Sequence, residues 1–555
     1  MNAPSPAHAV LHRRSILVGW LALLLAVVVY CTGIGSDHLA TNGDELLYAQ
    51  ITRLTAENGR LLPLQALDEK ARNTKPPLLF WQGIVSTDWA RHWSLARLRA
   101  PNVLYTLLTA GLLLSIGWHR SRNPMLGLSA ALIFLCFFST YRYGRVFLTS
   151  APETFWLFLP LALLLLHREP RFPKGIFWPW LWGGMIGVAL LYKSFALVIP
   201  ASVALAIWQL RARQWNLREF LKRDLWLIII MGAAALLLFG FWFWLDPEPG
   251  QVFHDFVLRE NAGKFDTWGG NYFFNLIWGQ SSIWRIIISY PLNAGLLAPL
   301  VVVLFIDAWK RRHHLGHFEV LLWIWILVLA VFYCVPNQRD ERYLLPAMPA
   351  VALIGGLRIG HLPRWVAATS IAAAGFIMLG LTGLGLLLQD RIGFSNLYPH
   401  WVLIPLVCGL GVVTFGLLHR DLTRALLTPA ILFVYLGYTL FLLPLDHGPG
   451  LFRGEGVEAV SDCEVFVPSN FNAREESYGF LLPDADVKPY DHWRSPPASQ
   501  FVVISLPLDR PAPAGVILAK RLNMIDRFSG PEISDMLAGN ISQHLFHWDW
   551  LVQQN

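Results

Sequence analysis

Long apolar runs alternate with short polar connections along most of the chain. A helix that crosses the hydrocarbon layer needs about 20 mostly apolar residues, and a window of that length finds about thirteen such runs. They lie near 15–35, 101–118, 125–140, 152–167, 176–192, 194–210, 225–245, 284–306, 319–335, 343–358, 365–388, 401–418 and 425–445. The first follows Arg13 and Arg14, and no small-residue cleavage site succeeds it. It therefore reads as an uncleaved span with a cytoplasmic amino terminus.

The connections carry the topology. His119–Arg122, His167–Arg171, Arg211–Asp224, Lys310–His314, Arg358–Arg364 and His419–Arg424 are all basic, and every second connection is of this kind. Basic loops stay on the cytoplasmic side. The other connections, 36–100, 141–151, 246–283, 336–342 and 389–400, then face outward and are longer and chemically richer. An odd number of spans leaves the carboxy-terminal tail outside as well, in the periplasm of a Gram-negative cell. The expected fold is an α-helical polytopic membrane domain over 1–445, followed by a small periplasmic α/β domain over 446–555. In that tail, Glu464–Val467, Phe501–Leu506 and Val516–Ala519 read as strands, and Ser529-Gly530-Pro531-Glu532 reads as a helix start.

Composition agrees with lipid as the main solvent. Of 555 residues 55% are hydrophobic and 15% charged, and the mean hydropathy is +0.45. The net charge of +7 is spread over the basic turns instead of forming one patch, so nucleic acid is not an expected partner. Five cysteines offer neither a disulfide framework nor metal-ligand spacing.

Candidate chemistry gathers in the outer connections. The segment 36–100 is too long for a mere link, and Asp44-Glu45 opens an amphipathic stretch inside it. Acids in a first helical turn stabilise the helix dipole, and on spacing alone that is the better reading. Asn42-Gly43 before them predicts a tight turn that aims Asp44 above the membrane. Thr74-Lys75-Pro76-Pro77 fixes a lysine on a rigid bend. Lys193 lies between two apolar runs, where a charge facing lipid costs about 2.5–3.5 kcal/mol, so it should face a cavity or the outer surface. Lys264 and the pair Arg342-Tyr343 belong to later outer segments. Any one of these is more readily a snorkelling interfacial residue. Together they could converge on one anionic ligand at the membrane surface, such as a lipid-linked phosphate.

This ordered series resembles the membrane-embedded GT-C glycosyltransferases, in the bacterial branch of the protein O-mannosyltransferases and the aminoarabinose lipid A transferase. There an Asp-Glu pair opens the first outer-loop helix, like Asp44-Glu45, and Lys-Pro-Pro follows, like Lys75-Pro76-Pro77. Tyr192-Lys193-Ser194, Glu260 to Phe265 and Tyr343 to Pro346 are similar to later motifs, so the series covers nearly all of 1–360. The chain departs from the pattern at Thr74, Asn261, Lys264 and Ser150, where the family has an acid, a histidine, an arginine and an aspartate; Glu153, one turn on, could substitute for the last.

The resemblance implies inverting transfer of a sugar from a polyprenyl (undecaprenyl) phosphate. Asp44 would serve as base, supported by Glu45, with Lys75, Lys193, Lys264, Arg342 and Tyr343 on the donor phosphate. A divalent metal ion is the candidate cofactor, at Asp44 and Glu153. The implied acceptor is lipid A or another envelope glycan or protein, and the implied location is the bacterial inner membrane, among membrane lipids. Competing readings are a transporter or lipid flippase, a protein O-glycosyltransferase, and a ligase that moves whole oligosaccharides.

Overall fold

The computed structural model describes residues 6–38, 43–67, 72–167, 175–265, 272–279, 281–392, 397–469, 473–491, 496–525, 530–537 and 544–554. Among them, nine helices are long and apolar enough to cross a membrane, and four shorter apolar helices accompany them: Ser15–Cys31, Pro124–Cys136, Ser150–Leu166 and Phe177–Tyr192. The chain is a multi-pass membrane protein.

Local sequence explains where the helices begin and end. Helix α1 is Pro6–Cys31, α4 is Leu95–Ser121 and α5 is Pro124–Cys136. Ser94 caps α4 by accepting the Arg97 N–H, and His119 and Arg120 in its last turn suit the negative end of the dipole. Asn123 caps α5 by accepting the Met125 N–H, with Pro124 at the first helical position. The two helices cross where Gly117 meets Gly127; a Cβ on Gly117 would lie 2.3 Å from the Gly127 Cα, so only a bare backbone allows the approach.

Two predicted spans end or break earlier than their hydropathy suggests. The run at 125–140 stops at Cys136, because Phe137 is extended (φ −65°, ψ 134°). The run at 284–306 is two helices, Ile283–Ala294 and Ala298–Lys310, joined by a short 3₁₀ turn from Gly295. Hydropathy sums over a window and does not register such breaks.

The first outer connection is folded. It contains helix α2 (Gly43–Glu57), the two-residue strands β1 (Leu64–Gln65) and β2 (Arg72–Asn73), paired antiparallel, and helix α3 (Leu78–Ser86). One face of α2 is buried through Glu45, Ala49, Ile51, Thr52 and Thr55. Helix α3 presses on it so closely that a Cβ on Gly83 would stand 2.8 Å from Thr52 Cγ2 and 2.7 Å from Phe147 Cζ. Arg72 ties this unit to the next outer segment, bonding both Asp246 oxygens at 2.9 and 3.0 Å and Glu248 at 3.1 Å.

The tail forms a mixed five-stranded sheet in the order β4-β3-β5-β7-β6. The strands are β3 (Glu464–Ser469), β4 (Asp486–Asp491), β5 (Phe501–Pro507), β6 (Val516–Met524) and β7 (Phe546–Gln553). Strand β3 runs parallel to β4 and β5, while β7 runs antiparallel between β5 and β6. Two helices accompany the sheet, Glu475–Leu481 and Gly530–Leu537. The second begins at the predicted Gly530-Pro531-Glu532, whose Ser529 lies outside the described residues. The sheet is anchored to the helices by buried polar groups. Arg521 bonds Asp549 at 3.0 Å and reaches Asp37 at 3.4 Å. His38 is bonded to Asp446, and its Nε2 lies 3.2 Å from the Met524 backbone nitrogen.

Candidate active site

A cavity of about 300 Å³ opens where several segments end together. Asp44 and Tyr48 enter it from the first turns of α2, and Lys75, Pro76 and Phe80 from the bend and start of α3. Ser150 begins one apolar helix, Tyr192 ends another, Ser194 to Leu197 begin the next, Tyr333 lies at the end of His317–Cys334, and Arg342-Tyr343 open the following turn. Spans alternate in direction, so these starts and ends lie on one side of the membrane domain.

The charges inside are arranged in pairs. Arg342 donates to Asp44 Oδ2 at 2.9 Å. Asp340 holds the start of that turn by accepting the Arg342 backbone N–H at 3.0 Å. Lys193 donates to Glu153 Oε2 at 2.7 Å and lies 5.0 Å from the centre of the Tyr343 ring, which stacks on Tyr333. Lys75 donates to the Tyr48 hydroxyl at 3.4 Å and lies over that ring. Its ammonium is held above the usual lysine value: burial opposes the charge, but Tyr48, Glu260 and Asp44 outweigh it. Lys75 stays a cation, and among the described residues no carboxylate is bonded to it.

The fourth wall is a π-helix, Phe253–Asn261, wide enough to bring Phe256, Glu260 and Asn261 to the cavity together. Asn261 donates to the Phe256 carbonyl and accepts from Ser194 Oγ, both at 2.8 Å. At the position where a family member has histidine, this chain has a structural bridge between two segments. The loop before Ser150 is pinned by Asn102, which donates to the Val146 and Leu148 carbonyls at 2.5 and 2.7 Å. Asn102 also accepts from Gln82, which accepts from the Tyr192 hydroxyl.

The structure separates the residues singled out in the sequence. Asp44, Lys75, Lys193, Arg342 and Tyr343 line the cavity. Glu45 does not: it is fully buried, forms a fork with Arg99 at 2.7 and 2.8 Å, and accepts the Phe147 N–H at 2.7 Å. Adjacent helical residues point about 100° apart, so Glu45 faces the core while Asp44 faces the cavity, and its role is to fix α2 in place. Lys264 lies in a short 3₁₀ turn, and its side chain is outside the described residues. The two acids considered for a divalent cation are each engaged with a cation of the chain, Asp44 with Arg342 and Glu153 with Lys193. No group of three His, Cys, Asp or Glu is placed to hold a metal ion among the described residues.

Sequence reasoning missed Tyr48, Tyr333 and Arg99. Among the described residues the Tyr333 hydroxyl, buried beside the cavity, has no hydrogen-bond partner. Its signal in the sequence is nil, since Tyr333 ends an ordinary apolar run. Tyr48 was visible as the residue one turn after Asp44.

Known proteins resemble this chain in sequence and in fold. The family model described as dolichyl-phosphate-mannose-protein mannosyltransferase (PMT) matches residues 20–249. An undecaprenyl phosphate-alpha-4-amino-4-deoxy-L-arabinose arabinosyl transferase of Sodalis glossinidius is 25% identical over 412 residues, 70% of this chain and 69% of that one. A protein of the same name from Proteus mirabilis is 23% identical over 346 residues, 62% of this chain; the match spans 60% of that relative's length. Crystal structures of ArnT from Cupriavidus metallidurans align over nearly the whole chain. The form bound to undecaprenyl phosphate covers 96% of this chain and 98% of that one, at TM-score 0.58 and 16% identity. The apo form covers 89% and 94%, at TM-score 0.57 and 17% identity. In fold the chain matches the ArnT crystal structures over most of its length, and in sequence its residues 20–249 match the PMT family model.

Proposed function

We propose that the chain is an inverting glycosyltransferase of the bacterial inner membrane. It takes a monosaccharide from undecaprenyl phosphate and passes it to lipid A or another lipopolysaccharide component. The amino terminus is cytoplasmic, and the cavity and the sheet domain face the periplasm. The observation that carries this reading is the meeting of the carboxylates Asp44 and Glu260 with the cations Lys75, Lys193 and Arg342 in a single cavity at the ends of the spans. The names of the arabinosyl transferase relatives support the donor and the sugar class.

The chemistry follows from charge. The acceptor oxygen attacks the anomeric carbon, the bond to the donor phosphate breaks, and undecaprenyl phosphate leaves with the electron pair. Lys75, Lys193 and Arg342 stabilise the negative charge that collects on that phosphate, and the Tyr343 and Tyr333 hydroxyls lie beside it. Asp44 takes the proton of a hydroxyl acceptor, or orients an already ionised phosphate acceptor. Arg342 holds Asp44. A donor phosphate that takes Arg342 draws that cation away from the carboxylate.

The test is incubation of purified protein with a labelled undecaprenyl-phosphate monosaccharide and candidate acceptors. Labelled lipid A is expected. A labelled protein acceptor instead would favour the second reading, protein O-glycosylation, which the PMT match supports. Label that crosses a bilayer with no covalent product would identify a transporter.

A further inference from the structure

Helix α2 has a second charged end. Asp44 and Tyr48 stand on the cavity, and two turns on Gln50 and Arg53 meet the sheet domain. Arg53 forms a fork with Glu476, at 2.8 and 3.0 Å, and also bonds Glu57 at 2.9 Å. Gln50 donates to Glu475 Oε1 at 2.5 Å, and Ser469 of β3 bonds the other oxygen of Glu475. Both glutamates are buried, at 8% and 2% exposure. Next to them Phe480 stacks on Trp93, with ring centres 5.5 Å apart and planes 10° apart.

Acids at the start of the helix Glu475–Leu481 have a bland explanation in that helix's own dipole. It does not account for two adjacent carboxylates buried against a different segment. Glu476 is the costlier: burial pushes its carboxyl up, the neighbouring Glu475 and Glu57 add to the rise, and Arg53 only partly offsets it. A buried carboxylate of this kind is weak evidence for stability and better evidence for a fixed register between the parts it joins.

We propose that Arg53, Gln50, Glu475 and Glu476 are positioning residues, through which the sheet domain sets the placement of α2 and hence of Asp44 over the donor. This rests on the transfer reaction proposed above. It gives the sheet domain a part in the chemistry although it contributes none of the residues that line the cavity. The cations Lys75, Lys193 and Arg342 stand on other segments, and Lys75 and Arg342 reach α2 through Tyr48 and Asp44, so a loosened α2 displaces the base more than the phosphate contacts.

Arg53→Gln and Glu476→Gln should each lower kcat about tenfold. The KM for donor and the Kd for undecaprenyl phosphate should stay within about twofold, and Arg53→Lys should recover part of kcat. Gln50→Ala removes one neutral hydrogen bond and should move kcat the same way if a charge variant is not recovered folded. Unchanged kcat with a lowered Tm would show a purely structural dock and overturn the proposal, as would weakened phosphate binding with kcat intact. Failure of the wild type to form product would instead sink the proposed reaction itself.

Discussion

Asp44 and Glu45 are neighbours in the chain with opposite surroundings. Asp44 is half-buried and faces the cavity, whereas Glu45 is sealed against Arg99. Removing one partner of a buried ion pair leaves an uncompensated charge, at a cost of about 3–5 kcal/mol. Glu45→Ala should therefore lower the thermal stability of the detergent-solubilised protein by about that amount. A stable Glu45→Ala variant that had lost only turnover would return Glu45 to the chemistry. Asp44→Asn should behave differently: transfer is abolished, folding is kept, and undecaprenyl phosphate binds several-fold more tightly, because Arg342 loses its nearest internal carboxylate and keeps the looser one, Asp340 at 3.9 Å. Binding titrations check the sign; weaker binding would mean that Asp44 prepares Arg342 for the phosphate. Of this contrast the sequence showed the two acids and their place in a helical turn. It did not show Arg99, because a partner 54 positions away leaves no local pattern.

At the level of elements, apolar length made the spans legible, and side-chain packing decided the rest. Helices α2 and α3 approach at Gly83, where any side chain would strike Thr52 and Phe147. Overpacking costs about 1–3 kcal/mol, and here the strain falls on the helix that carries Asp44. Gly83→Val should lower Tm and kcat together, and a variant with both unchanged would show that this contact does not hold α2. Strands β3, β5 and the start of β6 were visible as β-branched runs. Strand β4, Asp-Val-Lys-Pro-Tyr-Asp, was not, because it is a partly exposed edge with a proline and little apolar alternation. Strand β7 lies between two partners, and its uneven burial obscures the period of two. The π-helix at Phe253–Asn261 was equally hidden, since its winding depends on neighbours and on no residue type.

Across the whole molecule, the sheet domain and the helices are joined by polar groups that titrate. Burial opposes the charge on His38, but Asp446 and Asp37 overcome it and hold its ring above the ordinary value of 6.5. A raised histidine value means that the folded state binds the proton more tightly. The stabilisation is complete below the unfolded value and is lost as pH rises through the folded one. Thermal stability should therefore fall as pH rises above the ordinary histidine value of about 6.5, and His38→Gln should flatten that fall. A wild-type profile with the opposite slope would contradict the assignment. The cavity was legible as a list of separated charges in alternate loops. Their pairing was not, because Asp44 with Arg342 and Lys193 with Glu153 depend on how spans pack.

The central claim is that these groups receive one lipid-linked phosphate. A structure of the protein determined with undecaprenyl phosphate tests it most directly. The phosphate is expected within hydrogen-bonding distance of Lys75 and Arg342, with the bond from Arg342 to Asp44 broken. A phosphate bound elsewhere, with Arg342 still on Asp44, would contradict the account.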